Sequence, residues 1–157
     1  MTAPLLRASG YHDHAHADTP MGKVVLDYTS RFLRRKVLTM EDGQPLLVDL
    51  AHTTSLNHDG VLLIEGGGEV LVQAAIEPLL AIIAPDLTRV AWHVGNRHTP
   101  CQIENGRLLI QPDHVIADML MKLGATVTET HEPFTPEGGA YGHGRTHSHD
   151  HGHAHAH

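Results

Sequence analysis

The sequence contains very little cysteine and few aromatic residues. Its single cysteine, Cys101, cannot form an intramolecular disulfide and offers no cysteine-based zinc site. We expect Cys101 to be a buried small side chain in a strand rather than a metal ligand. Aromatic residues make up only 4% of the chain, so we expect small cores built from aliphatic side chains.

Long hydrophobic runs are also missing. No stretch approaches the roughly 18 apolar residues that indicate a membrane-spanning helix. The N-terminal sequence MTAPLLRASGYHDH lacks the apolar core of a signal peptide. We therefore expect a cytoplasmic protein that does not interact with a membrane.

Basic residues are outnumbered, since 11 Lys and Arg face 18 Asp and Glu and the formal net charge is −7. Binding to nucleic acid requires clustered Lys and Arg, so we exclude nucleic acid as a partner. The one basic cluster, RFLRRK (31–36), is interpreted as a solvated strand edge. The motifs HExxH, GxSxG and GxxxxGK[ST] are absent, and the sequence therefore does not predict an enzyme.

The hydrophobic pattern predicts an α+β protein with two small domains between flexible ends. Residues 1–21 are polar and without periodicity, which predicts a disordered arm that contains histidine. Residues 22–75 contain short β-branched and apolar segments separated by turn signals such as EDGQ (41–44) and GGG (66–68). This pattern predicts an all-β N-terminal domain.

Residues 76–136 show a different pattern, in which helices and strands are mixed. IEPLLAIIA (76–84) has apolar residues at helical spacing, TRVAWHV (88–94) resembles a strand, and Asn-Gly at 105–106 predicts a type I′ hairpin turn. Asp113 is expected to cap a second helix, which a final strand follows. With EVLVQA (69–74) counted as the first strand, we predict the β-α-β-β-α-β order of the ferredoxin-like plan.

Residues 137–157 cannot build a core and are predicted to form a flexible tail rich in histidine. The last fifteen residues read HGRTHSHDHGHAHAH. A purification tag or neutral low-complexity sequence would be alternative explanations, but tags are usually unbroken histidine runs. We interpret the tail as metal-binding, and imidazole suits Zn, Cu, Fe and Ni. The histidines are His143, His147, His149, His151, His153, His155 and His157.

Further candidate ligands lie outside the tail. His12, His14 and His16 occupy alternate positions, which in an extended segment would place neighbouring imidazoles on one side, roughly 7 Å apart. His98 is predicted in a loop between two strands, where ligands commonly lie. His114 opens the second helix beside Asp113, whose carboxylate could orient the ring or bind the metal directly.

Several segments resemble the UreE family of urease accessory proteins. These are WHVGNRHTPCQI, QPDHVIADMLMKLGATV and EPFTPEGGAYGHG, with RRKVLTMEDGQPLLVDL and HDGVLLIEGG upstream. The resemblance covers about residues 23–157. It implies a cytoplasmic metallochaperone that delivers Ni²⁺ to the urease assembly machinery, with the accessory GTPase and the urease apoprotein as partners. It also implies a peptide-binding N-terminal domain and a homodimer formed through a ferredoxin-like C-terminal domain.

The resemblance also implies particular ligands. The interfacial nickel ligand of the family is the histidine of its GNRH motif, which falls on His98, and a two-fold axis would bring this residue in from both subunits. The peripheral site of the family uses His-Asp-His, where this chain has Pro112-Asp113-His114. The cluster His12, His14 and His16 is not part of the family pattern, and we interpret it as an auxiliary metal-binding arm.

Two functions of different classes remain open from the sequence. The first is carriage of Ni²⁺, with Zn²⁺ or Cu²⁺ also able to bind in vitro because raw affinity favours Cu over Ni. The second is a protein–protein adaptor of urease maturation whose tail only scavenges or stores Ni or Zn. A metal-dependent enzyme is a third reading, and the missing catalytic signatures count against it.

Overall fold

The computed structural model of the chain describes residues 5–16 and 19–138. Over these residues the chain forms ten strands and two helices, and it divides into two compact units between Ala75 and Ile76. No helix in this part of the chain is long and apolar enough to cross a membrane.

The first unit contains one six-stranded mixed sheet. Its strands are β1 (Leu6–His12), β2 (Gly22–Leu26), β3 (Phe32–Thr39), β4 (Pro45–Ser55), β5 (Val61–Ile64) and β6 (Glu69–Ala74). They lie in the order β2-β6-β5-β1-β4-β3, with β1 parallel to β4 and β2 parallel to β6. Successive side chains of a strand point to opposite faces of the sheet, so every second residue of β4 enters the core. Leu46, Val48 and Leu50 are buried, while Leu47 and Asp49 between them are only partly buried.

The all-β prediction for the first domain is confirmed over the described residues, but the prediction of a disordered arm over residues 1–21 is wrong for Leu6–His12. This segment is an inner strand of the sheet, parallel to β4 on one side and antiparallel to β5 on the other. Its local signal is weak because its fully buried side chain, Ala8, is small. The strand is stabilised by partners distant in sequence, which a local pattern does not reveal.

The basic cluster at 31–36 is mostly a solvated strand edge, as predicted. Its residues Arg34, Arg35 and Lys36 are exposed on β3, which lies at the edge of the sheet. Arg31 is different, because its side chain is buried and its guanidinium donates to the carbonyl oxygens of Leu56 (3.1 Å) and Leu26 (3.0 Å). A buried guanidinium whose hydrogen bonds go to backbone carbonyls joins two segments of the chain and does not present a surface for a ligand.

The second unit contains a four-stranded antiparallel sheet and two helices. Its elements are β7 (Ile76–Ile83), α1 (Leu87–Asn96), β8 (Cys101–Glu104), β9 (Arg107–Ile110), α2 (His114–Lys122) and β10 (Thr126–Pro133). The strand order is β10-β7-β9-β8. Side chains from both helices and from the sheet form one aliphatic core, which includes Ile82, Val94, Leu108 and Leu120.

The element order is β-α-β-β-α-β, but two of the predicted elements are wrong. Residues 76–84 were predicted as a helix, yet β7 is an inner strand with four consecutive buried residues from Leu79 to Ile82. A short apolar run that is buried on both faces cannot be distinguished from a buried helix by periodicity alone. Tertiary pairing with β9 and β10 decides in favour of the strand.

Residues 88–94 were predicted as a strand and lie in α1. Asp86 begins the helix, because its Oδ1 accepts the N–H of Arg89 at 3.1 Å. Val90 and Val94, four residues apart, form its buried stripe, while Trp92 on another face is 64% exposed. The β-branched residues suggested a strand, and the spacing of the buried pair is what favours the helix.

The Asn105–Gly106 hairpin joins β8 and β9 as predicted, although its turn differs from the prediction. A type I′ turn requires positive φ at both central residues. Here φ is +102° at Gly106, and Asn105 is not among the described residues with positive φ. The turn therefore uses positive φ at Gly106 but not at Asn105, and it is not of type I′.

Candidate metal centre

His98 lies directly after α1, at the position where the helix terminates. Arg97 is the C-cap, the N–H of His98 donates to the carbonyl oxygen of Gly95 at 2.9 Å, and the N–H of Thr99 donates to that of Val94 at 3.4 Å. These two hydrogen bonds define a Schellman termination. The sequence prediction of a loop between two strands is thus corrected to a helix end followed by β8.

The backbone of His98 is in the left-handed conformation, with φ of +56°. Glycine usually occupies this position, because a Cβ there costs about 1–2 kcal/mol. Among the described residues, Asp59 is the other non-glycine residue with positive φ. His98 is exposed, so burial does not account for a side chain at this position, and unfavourable backbone geometry of this kind is often retained at functional sites.

Asp113 and His114 lie at the start of α2. Asp113 is the N-cap, and its Oδ1 accepts the N–H groups of Val115 at 2.9 Å and Ile116 at 3.1 Å. This carboxylate therefore has a structural role, as predicted from its position. His114 is the first helical residue and is exposed.

The structure does not gather these candidates into a formed site. Within residues 5–16 and 19–138, no group of three or more His, Cys, Asp or Glu side chains is already arranged to hold a metal ion. His98 therefore contributes one imidazole from its own subunit, and a stable site requires ligands from elsewhere. The seven tail histidines, from His143 to His157, lie outside the described residues.

Cys101 is the first residue of β8 and is partly buried. Burial, and after it the negative charge of Glu137, raises the pKa of the Cys101 thiol to about 11. Because the thiolate is the form that binds metals, a thiol that stays protonated at neutral pH is a poor ligand. This agrees with the interpretation of Cys101 as a packing residue.

The three N-terminal histidines come close together at the end of β1. The ring centroids of His12 and His16 are 4.7 Å apart with perpendicular planes, and those of His14 and His16 are 5.5 Å apart. The chain bends after β1, so the His14–His16 separation is smaller than the roughly 7 Å expected for alternate positions in an extended segment, and His12 and His16 are brought together from four residues apart. All three side chains are exposed.

Sequence reasoning missed the acidic residue beside this cluster. The carboxylate of Glu69 in β6 accepts the backbone N–H of His16 at 3.1 and 3.2 Å, and its Oε2 lies 3.5 Å from Nδ1 of the same residue. The Glu69 side chain is only 9% exposed. The pairing spans 53 residues of sequence, and the neighbouring turn signal GGG (66–68) gives no indication of it.

Comparison with known proteins covers both units. The family model for the N-terminal domain of the UreE urease accessory protein matches residues 7–75, and the model for its C-terminal domain matches residues 77–157. Among curated relatives, the urease accessory protein UreE of Ruegeria sp. (strain TM1040) is 68% identical over 93% of this chain and 83% of its own length.

Two further relatives carry the same name. The protein from Ruegeria pomeroyi is 62% identical over 79% of this chain and 83% of its own length. The protein from Rhodobacter capsulatus is 54% identical over 78% of each chain. With both units matched in sequence order, the chain belongs to the UreE family of urease accessory proteins.

Proposed function

We propose that this chain is a nickel metallochaperone that takes part in urease maturation and delivers Ni²⁺ to the urease assembly complex. The observation that carries the proposal is His98, an exposed imidazole on a left-handed residue at a helix end, in a chain of the urease accessory family. Imidazole suits Ni²⁺, and a borderline metal ion that is bound without thiolates can still be passed to a partner.

The tight site requires a homodimer formed through the second unit, which we take to be ferredoxin-like. A two-fold axis places the same residue of each subunit opposite its copy, so two His98 imidazoles can share one ion. Exposed apolar side chains support an interface on this unit: Trp92 of α1 is 64% exposed, and Val115 and Met121 of α2 are 56% and 51% exposed. A homodimer interface on this unit would cover these side chains.

The tail histidines, from His143 to His157, add weaker chelates that complete the coordination shell or hold further ions. His114 contributes at the periphery, where Pro112 precedes Asp113 in place of a histidine. We do not assign Asp113 to the metal, because its Oδ1 caps α2. Zn²⁺ and Cu²⁺ should bind the same imidazoles in vitro.

The partners of this carrier are the urease accessory GTPase and the urease apoprotein, in the cytoplasm. The first unit is the proposed partner-binding domain, with neither a nucleic acid nor a membrane as its target. Since the carrier moves an ion without changing it chemically, it needs no catalytic residues.

An adaptor function is the second candidate, and the edge strand β3 favours it. Its exposed Arg34, Arg35 and Lys36 offer a basic strand edge to an acidic segment of a partner. In this reading the tail only scavenges or stores Ni or Zn. His98 would then be dispensable for urease activation.

Equilibrium dialysis with Ni²⁺ and Zn²⁺, combined with a urease activation assay, separates the two functions. The proteins compared are the full chain, a variant ending at Gly142, and His98→Gly in both backgrounds. His131→Ala, an exposed histidine on β10, is the matched control. Metal carriage requires that His98→Gly removes the tight site and impairs activation, while the control does neither. Full activation by His98→Gly in the shortened chain would favour the adaptor.

A further inference from the structure

The N-terminal histidine cluster is held on the folded first unit at both of its ends. His12 is the last residue of β1 and pairs with Val61 in the sheet. Four residues later, the backbone N–H of His16 is bound by both oxygens of Glu69. The three imidazoles are therefore carried on a short tethered segment rather than on a disordered arm.

A second set of contacts fixes the bend between these ends. The Tyr11 hydroxyl accepts the backbone N–H of Asn57 at 2.7 Å, and the Asn57 side-chain amide donates to Asp13 Oδ1 at 3.1 Å. Glycine is required at position 60, because a Cβ there would overlap the Tyr11 hydroxyl. The loop after β4 thus holds the segment in place.

The ring nitrogens of the cluster are not yet arranged to hold an ion, but two of the ring separations are close to those of imidazoles that share one. Two imidazoles bound to one tetrahedral ion through metal–nitrogen bonds of about 2.1 Å have their ring centroids roughly 5 Å apart. The observed separations of 4.7 Å and 5.5 Å bracket that value. The ring planes, at 90° and 59° to one another, still have to rotate before the nitrogens converge, which exposed side chains can do at little cost.

Glu69 occupies the place of an orienting carboxylate. Metal-binding histidines commonly present one ring nitrogen to a carboxylate, which fixes the tautomer and leaves the other nitrogen for the ion. With Glu69 Oε2 3.5 Å from Nδ1 of His16, the nitrogen left for the metal is Nε2. The nearly buried position of Glu69 strengthens this interaction relative to a solvated pair.

We propose that His12, His14 and His16 form a single binding site for one borderline divalent cation on the N-terminal unit, with Glu69 as its positioning residue. The fourth position is left to water or to an exchanging ligand, so the ion stays accessible. The site belongs to one chain, needs no two-fold axis, and does not depend on delivery of nickel to urease.

The test uses the full-length protein and Zn²⁺ as the probe. Long-range ¹H–¹⁵N spectra of the imidazole rings are recorded during the titration, with His12, His14 and His16 assigned by single substitution to alanine. We expect the three rings to change together with one apparent affinity, and His16 to bind through Nε2 while Nδ1 keeps its proton. Three rings that respond at separate Zn²⁺ concentrations, or not at all once the other histidines are saturated, would overturn the proposal.

Two variants test the assignment of residues. His12→Ala/His14→Ala should lose one Zn²⁺ per chain in equilibrium dialysis, whereas the matched pair His52→Ala/His131→Ala, which removes two exposed strand histidines, should lose none. Glu69→Gln keeps an acceptor for the His16 backbone but removes the charge, and should weaken this site 10- to 100-fold. Equal losses in both double variants would refute the site, and an unchanged affinity in Glu69→Gln would refute the role of Glu69.

Discussion

Replacing His98 with glycine should remove the proposed nickel ligand and stabilise the second unit at the same time. The left-handed backbone at φ of +56° costs a residue with a Cβ about 1–2 kcal/mol. Glycine avoids that cost but has more freedom in the unfolded chain, which offsets about 0.4–1 kcal/mol. The net expectation is a gain of about 0.5–1 kcal/mol, or a few degrees in Tm for a unit of this size.

The measurement is denaturant or thermal unfolding of the metal-stripped protein, alongside Ni²⁺ dialysis of the variant that ends at Gly142. His98→Ala is the control, because it removes the ring but keeps the Cβ, and it should be less stable than His98→Gly by the same margin of about 0.5–1 kcal/mol. Loss of nickel binding with increased stability cannot be attributed to unfolding. If His98→Gly is instead destabilised by more than about 1 kcal/mol, or if it retains the tight site, the imidazole is structural and the reasoning is wrong.

Four further predictions concern the tail, the pH dependence of binding, the second helix and an ion pair. Removing residues 143–157 should lower the number of Ni²⁺ ions bound per dimer in dialysis but keep one tight site and the unfolding midpoint; an unchanged ion count would refute a role for the tail. Ni²⁺ binding should weaken steeply between about pH 7.5 and 5.5, because protons compete with the metal for imidazole near its reference pKa of about 6.5. Calorimetry in buffers of different ionisation enthalpy should count more than one proton released per tail-bound ion, and near-zero release would mean that carboxylates are the ligands. Asp113→Ala should destabilise the protein by about 1 kcal/mol without changing the tight site, and Asp113→Asn should restore the cap; a loss of tight metal binding in both variants would mean that this carboxylate is a ligand. Hydrogen bonds from Arg107 and, to a smaller extent, from Thr130 lower the pKa of Glu132 from 4.5 to about 2, so the contribution of Glu132 to stability is present above about pH 4.5 and is lost as pH falls towards 2. The free energy of unfolding of Glu132→Gln should therefore depend less on pH in that range, and a slope identical to that of the unsubstituted protein would contradict the shift.

The strands of the first unit were predictable where local signals agreed. Alternating apolar residues along β4 and the glycines at 66–68, all with positive φ, indicate strands and turns without knowledge of the fold. β1 was not predictable in this way, because Ala8 buries little surface and the pairing with β4 and β5 joins residues about 40 to 55 positions apart. A strand whose stability comes from distant partners has no local signature.

At the start of the second unit, the sequence predicts a helix and then a strand, whereas the structure has a strand and then a helix. The cause is related. IEPLLAII contains enough apolar residues to satisfy either periodicity, and only the neighbours on both sides make it an inner strand. In α1 the informative feature was the capping residue Asp86 followed by valines four residues apart. Giving the cap more weight than β-branched content would have identified the helix.

The candidate ligands were predictable by residue type, while their means of positioning were not. His98 could be selected from the motif, but its left-handed backbone depends on where α1 ends, and that element was predicted as a strand. Glu69 could not be selected at all, since its relation to His16 is a contact across the sheet. The sequence therefore identifies which histidines could bind a metal ion, and the tertiary structure determines which of them have a backbone or a neighbouring carboxylate that fixes the position of the ring.

The two proposed sites fix an imidazole by different physical means, and the difference bears on how each would release its metal. At His98 the backbone is constrained by the Schellman hydrogen bonds, while the exposed ring has no neighbouring carboxylate in any contact that the described residues make. No carboxylate orients this ring, so the affinity of the site for its ion depends on the other ligands that join it. At His16 a nearly buried carboxylate lies 3.5 Å from Nδ1 and orients the ring, which increases affinity for the ion at the cost of release. On this argument the N-terminal cluster should retain its ion longer than the His98 site. Exchange of bound Zn²⁺ into a chelator, followed on the imidazole signals of both sites, would measure the two rates directly, and faster release from the N-terminal cluster would contradict the role given to Glu69.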